Sequence, residues 1–212
     1  MPKPNPSQEE RLEQISRRTI GHYDRSAADF WEHTKDHDVS QNYRAFLEPL
    51  PDSGTLDILD LGCGPGRDVH YFKQRGHRPV GLDGSDAFCR MAREYTQCPI
   101  WHQDFLKLDL PESAFDGIFA NATLFHVPRD QLVRVLGELC RGLRPHGILF
   151  SSNPRGREEG WRGERFGNFM EFPTYEEMLN LAGFEVLHHY YRPSGLPRDQ
   201  QPWLAVVSRK AG

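Results

Sequence analysis

Asp60-Leu61-Gly62-Cys63-Gly64-Pro65-Gly66 follows a short apolar run, Leu56–Leu61, and precedes a polar stretch of helical length. A strand that ends in an acidic residue and runs into alternating glycines makes a tight turn whose backbone approaches a ligand. Glycine tolerates positive φ there and puts no side chain in the way. The spacing is G-x-G-x-G, and the position that would complete the dinucleotide pattern G-x-G-x-x-G holds Arg67, neither glycine nor alanine. That residue argues against NAD or FAD, and the chain offers no Tyr-x-x-x-Lys pair to support an oxidoreductase.

On the C-terminal side of this loop, short apolar runs alternate with helix-length polar segments, the pattern of βα units on a parallel sheet. Strands are expected at Leu56–Leu61, Pro79–Asp83, Pro99–Gln103, Phe115–Asn121, Gly147–Ser152, Glu185–Tyr191 and Trp203–Ser208. Helices are expected near Asp68–Arg75, Ser85–Tyr95, Asp130–Leu143 and Tyr175–Ala182, with Gly76, Gly142 and Gly183 as stops. On the N-terminal side, Met1–Pro6 reads as a loose, proline-rich lead-in. Ser7 and Glu10 form a possible capping box for a helix through about Tyr23, and one or two further helices follow over Ala27–Leu50, ending at Pro49 and Pro51. The expectation is an α/β, doubly wound domain over residues 51–212 with a helical cap over 1–50. The glycine-rich stretch Asn153–Phe172 and the turn-rich stretch Pro193–Pro202 read as loops over a substrate.

A net charge of −4 and a pI near 6.2 give no global attraction to a phosphate backbone, so nucleic acid is a disfavoured partner. Cys63, Cys89, Cys98 and Cys140 make no C-x-x-C pair and fall inside expected regular elements, which fits a reducing cytoplasm better than a secreted disulfide framework. No apolar run approaches the ~20 residues of a membrane span. His33 and His37 stand at i, i+4, but no further ligands follow at recognisable spacing, so a solvated face is the expectation and no metal is assigned.

Functional residues are expected at successive strand ends. Asp83 ends the second strand, where a carboxylate can accept both hydroxyls of a ribose, and Gly84 follows it. Asp104 and Phe105 end the third, an acidic-aromatic pair suited to an adenine amino group and ring; Asn121 ends the fourth. Taken singly, the glycines could simply turn, Asp83 cap a helix, and Asp104 open a polar loop. Four such groups on one sheet edge form a nucleotide-type site.

The loop Asp60–Arg67, Gly81-Leu82-Asp83, Gln103-Asp104-Phe105 and Phe119-Ala120-Asn121 resemble class I methyltransferases. The resemblance implies S-adenosyl-L-methionine as cofactor and a Rossmann-like, seven-stranded sheet in the order 3-2-1-4-5-7-6 with the last strand antiparallel. More specific stretches, Asp38–Tyr43, Trp101–Phe105, Ser151–Gly156 and Tyr190–Trp203, are similar to the methyltransferase domain of ovothiol biosynthesis enzymes. In that family the domain follows an iron-dependent 5-histidylcysteine sulfoxide synthase and methylates the π nitrogen of 5-thiohistidine. This chain has no room for the synthase region, which implies a stand-alone homologue or an isolated domain with a separate synthase as possible partner, and leaves another small thiol, amine or imidazole, or a non-catalytic cofactor-binding role, as alternatives.

Under this resemblance Tyr23, Asp60, Gly62, Gly64, Arg67, Asp83, Gly84, Asp104, Phe105 and Asn121 are the expected cofactor residues. An amino-acid acceptor needs a guanidinium fork for its carboxylate, and Arg155 and Arg192 are the candidates. Gln41, Asn42, Asn153 and Tyr190 are expected to orient the acceptor, with His126 and Tyr43 as candidate catalytic groups. For His126 a core histidine packed under the following helix is the alternative.

Overall fold

The computed structural model describes residues 6–51 and 54–212, so the Met1–Asn5 part of the lead-in lies outside the described residues, as do Asp52 and Ser53. Three helices come first: α1 (Pro6–Arg25), α2 (Ala27–Thr34) and α3 (Ser40–Leu47). The alternating part follows as β1 (Asp57–Leu61), α4 (Arg67–Gln74), β2 (Arg78–Asp83), α5 (Asp86–Thr96), β3 (Ile100–His102), β4 (Phe115–Asn121), α6 (Arg129–Gly142) and β5 (Leu143–Pro154). The chain then forms β6 (Glu159–Arg162), β7 (Arg165–Asn168), α7 (Phe172–Leu181), β8 (Phe184–Arg192) and β9 (Trp203–Lys210).

Seven strands make one sheet in the order β3-β2-β1-β4-β5-β9-β8. β1 to β5 pair in parallel, and β9 runs antiparallel to both β5 and β8. Period-two alternation sends successive residues to opposite faces. Leu59, Ile118, Leu149 and Val206 face the layer that includes Leu132, Leu136 and Leu139 of α6, while Ile58, Phe119, Phe150 and Val207 face α3 and α4. Phe46 of α3 is fully buried in that second layer, and a Cβ on Gly117 would lie 2.5 Å from its ring. The glycine is what lets α3 sit directly on the sheet.

Several expectations need correction. β6 and β7 form a separate two-stranded hairpin inside the stretch read as irregular. Its turn, Gly163-Glu164 with Gly163 at φ +63°, is of the glycine-first kind that tight hairpins use, and Trp161 pairs with Phe166 behind it. α6 stops at Gly142, so β5 begins at Leu143, where Leu143 pairs with Phe115, rather than at Gly147. α1 begins at Pro6, so Ser7 lies within its first turn instead of at its cap. α2 ends at Thr34, so His33 and His37 share no helix. Gly76 and Gly183 do follow their helices at positive φ, and α5 ends on Gln97 in the same left-handed conformation.

Candidate active site

The glycine loop leaves β1 beneath a set of close approaches. Gly62 sits at φ +72°, its N–H donates to the Leu82 carbonyl at 2.7 Å, and a Cβ there would fall 1.7 Å from Thr123 Oγ1. Gly66, at φ +98°, serves as the cap of α4. The Gly64 N–H donates to Asp83 Oδ2 at 2.9 Å, and Ser85 N–H donates to Asp83 Oδ1 at 2.8 Å. Asp83 thus ties the loop after β1 to the loop after β2. Burial outweighs these two donors and pushes its carboxyl up to about 6.

These loops open on a cavity of about 800 Å³. Gly62, Gly64, Asp83, Gly84, Asp104 and Phe105 line one part of it, as expected from the strand ends. Asp104 also accepts the Leu106 N–H at 2.9 Å, so one of its oxygens shapes the local turn. Arg67 and Asn121 reach the cavity as well, as do Asp38, Gln41, Arg192, Ser194 and Trp203.

The N-terminal helices close the cavity. Thr19, Ile20 and Tyr23 of α1 and Phe30 of α2 line it, and Tyr23, Phe30 and Phe88 pack as an aromatic cluster. Asp24 accepts from Ser85 Oγ at 2.6 Å and Ala87 N–H at 3.1 Å, fastening α1 to the start of α5. The β6–β7 hairpin straps α1 from the other side through Phe166 N–H to Thr19 Oγ1 at 3.1 Å, the Arg25–Glu164 ion pair and Arg18 over the Trp161 ring. Sequence reading missed Asp24 and this strap, because neither carries a local motif.

His126 lies on the cavity wall with both nitrogens engaged. Its Nδ1 donates to the Phe166 carbonyl at 2.6 Å, and burial lowers its pKa to about 4, so the ring is neutral and Nε2 accepts the Tyr23 hydroxyl at 2.8 Å. In this arrangement His126 orients Tyr23 and has no free lone pair for a substrate proton.

Six expected site residues lie behind the wall. Asp60 is buried beneath the loop with Oδ2 unpartnered among the described residues, and burial together with Asp68 holds its carboxyl well above the usual range. Tyr43 is buried against Tyr71 and donates to Asp68 Oδ1 at 2.5 Å, so it supports a cavity residue instead of meeting a substrate. Asn42 and Tyr190 bond each other at 2.9 Å. Asn153 accepts the Phe125 N–H at 3.0 Å. Arg155 pairs with Glu171 at 3.3 Å and donates to the Arg198 and Gln201 carbonyls, which fixes the Pro193–Pro202 turn and leaves no fork for an acceptor.

Two charged groups distinguish the site. Asp68, not singled out by the sequence, lines the cavity and accepts Arg67 at 2.7 and 3.0 Å in a bidentate pair. Arg192 contrasts with Arg67. Its Nη2 donates to Ser152 Oγ at 3.1 Å, its Nε is buried without a partner among the described residues, and burial lowers its pKa. Arg192 is a cavity-wall guanidinium with no carboxylate against it among the described residues.

Residues 58–147 match the model of a family described as a methyltransferase domain. The matched stretch runs from β1 into β5, and together with the sheet order and the loop geometry it gives the chain the Rossmann-like, seven-stranded methyltransferase fold. It is similar to a trans-aconitate 2-methyltransferase of Azoarcus sp. (strain BH72), 38% identical over 113 residues covering 52% of this chain and 43% of that protein. It is similar to the methyltransferase phqN of Penicillium fellutanum, 32% identical over 176 residues covering 71% and 52%. The chain therefore spans about half the length of the curated relatives it matches. In fold it resembles a Burkholderia thailandensis 1,6-didemethyltoxoflavin-N1-methyltransferase, with a TM-score of 0.73 at 22% identity, covering 100% of this chain and 93% of that one. No helix among the described residues is long and apolar enough to cross a membrane, and all four cysteines are free.

The residues fit S-adenosylmethionine. Glycines 62 and 64 keep the loop free of Cβ atoms at the cavity, and Asp83 offers a carboxylate there whose two donors leave lone pairs for hydroxyl groups.

Proposed function

We propose that this chain, with its cap of residues 1–50 over a core of 51–212, transfers the methyl group of S-adenosylmethionine to the π nitrogen of the 5-thiohistidine imidazole. Support comes first from Arg192. A half-buried guanidinium without a counter-charge is costly, and an acceptor carboxylate would supply the missing partner in bidentate geometry. Further support comes from sequence stretches that resemble the ovothiol family. Two of them, Asp38–Tyr43 and Tyr190–Trp203, line the same cavity through Asp38, Gln41, Arg192 and Trp203 and are joined by the Tyr190–Asn42 hydrogen bond.

When bound, the cofactor supplies an electrophilic sulfonium methyl. Gly62, Gly64, Arg67, Asp83, Gly84, Asp104, Phe105 and Asn121 are the proposed holding groups, with Asp60 and Tyr43 supporting them from behind. Tyr23, aimed by His126, closes the site from above. Arg192 and Gln41 would orient the acceptor so that its neutral ring presents a lone pair in line for methyl transfer. Such orientation is worth ~7–11 kcal/mol when reacting atoms are held near attack distance, so no proton-transfer residue is required for the bond-forming step. A sulfoxide synthase is the proposed source of the sulfur-bearing acceptor, and the free cysteines favour a reducing cytoplasm as the compartment. The deciding experiment incubates the purified chain with methyl-labelled cofactor and 5-thiohistidine and follows labelled product by mass spectrometry. Absence of transfer to 5-thiohistidine, with transfer to another small metabolite, overturns the acceptor assignment.

Asp83 gives a pH dependence with a definite sign. Its folded-state pKa, about 6, lies above the ordinary carboxylate value, so burial costs stability once pH rises past that window. Ribose hydroxyls donate more strongly to the ionised carboxylate, which accepts at both oxygens, and affinity therefore runs the other way. Binding of S-adenosylhomocysteine is expected to be about tenfold weaker at pH 5 than at pH 7, with a plateau above, and Asp83→Asn is expected to remove the slope. Calorimetric titration across that range checks both.

A further inference from the structure

Four elements that lie far apart in sequence meet in one chain of hydrogen bonds. Tyr190 of β8 bonds Asn42 of α3 at 2.9 Å, Asn42 Nδ2 donates to Asn121 Oδ1 at the end of β4 at 3.0 Å, and Asn121 Nδ2 points to Asp68 Oδ2 of α4 at 3.5 Å. Only the last two side chains line the cavity. Asn42 is fully buried, with its oxygen and its nitrogen each given to one partner.

The direction of this chain follows from its two ends. Asp68, paired with Arg67, is an acceptor, so the NH2 of Asn121 must face it. The oxygen of Asn121 then faces the NH2 of Asn42, which turns the oxygen of Asn42 toward Tyr190 and makes the Tyr190 hydroxyl the donor. Rotating either amide by half a turn sets donor against donor or oxygen against carboxylate, and a buried group so mismatched loses its full hydrogen-bond compensation. One end of the chain is ionic and the other is a phenol; both asparagines between them have a single satisfied orientation.

We infer that Asn42 and Tyr190 are positioning residues that hold the Asn121 carboxamide in one orientation on the cavity wall and so set the affinity for the cofactor. This assignment rests on the cofactor and is independent of which acceptor is methylated. It also replaces the acceptor contact expected of both residues from sequence, since neither reaches the cavity.

The test is a double-mutant cycle on S-adenosylhomocysteine binding by isothermal titration calorimetry with the full chain. Tyr190→Phe keeps the ring and removes only the donor. It is expected to weaken binding about fivefold when Asn121 is present, and by less than about twofold in the Asn121→Ala background, because there is then no amide to orient. A purely structural role for Tyr190 predicts the same loss in both backgrounds, and that result, or no loss in either, overturns the inference. A second readout does not depend on affinity. The Asn121 side-chain amide pair in a 1H–15N spectrum, assigned by its disappearance in Asn121→Ala, is expected to shift in Tyr190→Phe; a pair unmoved from its wild-type position overturns it equally.

Discussion

Gly62→Ala is expected to lower the stability of the domain by about 3–5 kcal/mol and to abolish measurable cofactor binding. The new methyl would stand 1.7 Å from Thr123 Oγ1 and 2.8 Å from Thr123 Cβ, distances that no rotamer change relieves because Cβ is fixed to the backbone. Thr123 is itself buried and follows β4, so relief requires moving the strand end or the loop. The backbone at φ +72° adds roughly 1–2 kcal/mol for any L-residue. For a chain of this size such a change lowers Tm by roughly 10 °C or more, which differential scanning calorimetry would register. Adding Thr123→Gly removes the steric part and leaves the backbone part, so the double variant is expected to recover more than half of the lost Tm. If Gly62→Ala alone binds cofactor like the parent, the close approach of the two loops is not what holds the site.

Arg192→Met is expected to raise the acceptor KM about 100-fold while changing the affinity for S-adenosylhomocysteine less than twofold. Truncating one partner of a buried charge pair costs about 2–5 kcal/mol, and the lower half of that range corresponds to the stated factor. Methionine fills much of the same volume, and the fold has little to lose because Arg192 has no ionic partner among the described residues. Arg155→Met is the contrast. Its guanidinium is spent on Glu171 and the Arg198 and Gln201 carbonyls, so that variant is expected to loosen the turn after β8 and lower Tm with a much smaller change in KM. Steady-state kinetics on both variants separates the roles; equal KM changes would mean that the anion sits between the two arginines and not on Arg192.

The contrast between these arginines shows where sequence reading stops. Both lie in stretches of the same resemblance, and nothing local distinguishes them; the difference arises from Glu171 and the backbone carbonyls of the 193–202 turn, which only tertiary packing brings to Arg155. The strand ends were legible because each carries its own reason, such as a glycine that must turn or a carboxylate at a switch point. The same holds for the central sheet, where apolar alternation declares both faces. Asp68 escaped notice because one position past Arg67 it looks like an ordinary first-turn helix acid, yet it receives Tyr43, Arg67 and Asn121. Tyr43 was placed in the right neighbourhood and given the wrong task for the same reason. The β6–β7 hairpin was hidden by its glycines, which read as disorder of pattern although Gly163 is the turn itself and Trp161 and Phe166 its flanking pair.

The strap of hairpin and helix over the cavity has a thermodynamic meaning of its own. α1 is a mostly polar helix whose hold on the domain depends on a few tertiary contacts: Asp24 on Ser85, Thr19 on Phe166, and Tyr23 on His126. A helix of this kind draws most of its stability from such packing and little from its own propensity. Since Tyr23 and Thr19 also line the cavity, whatever fills it adds to the contacts that hold α1 in place. Bound cofactor would therefore stabilise the packing of α1, each tenfold excess over Kd adding about 1.4 kcal/mol.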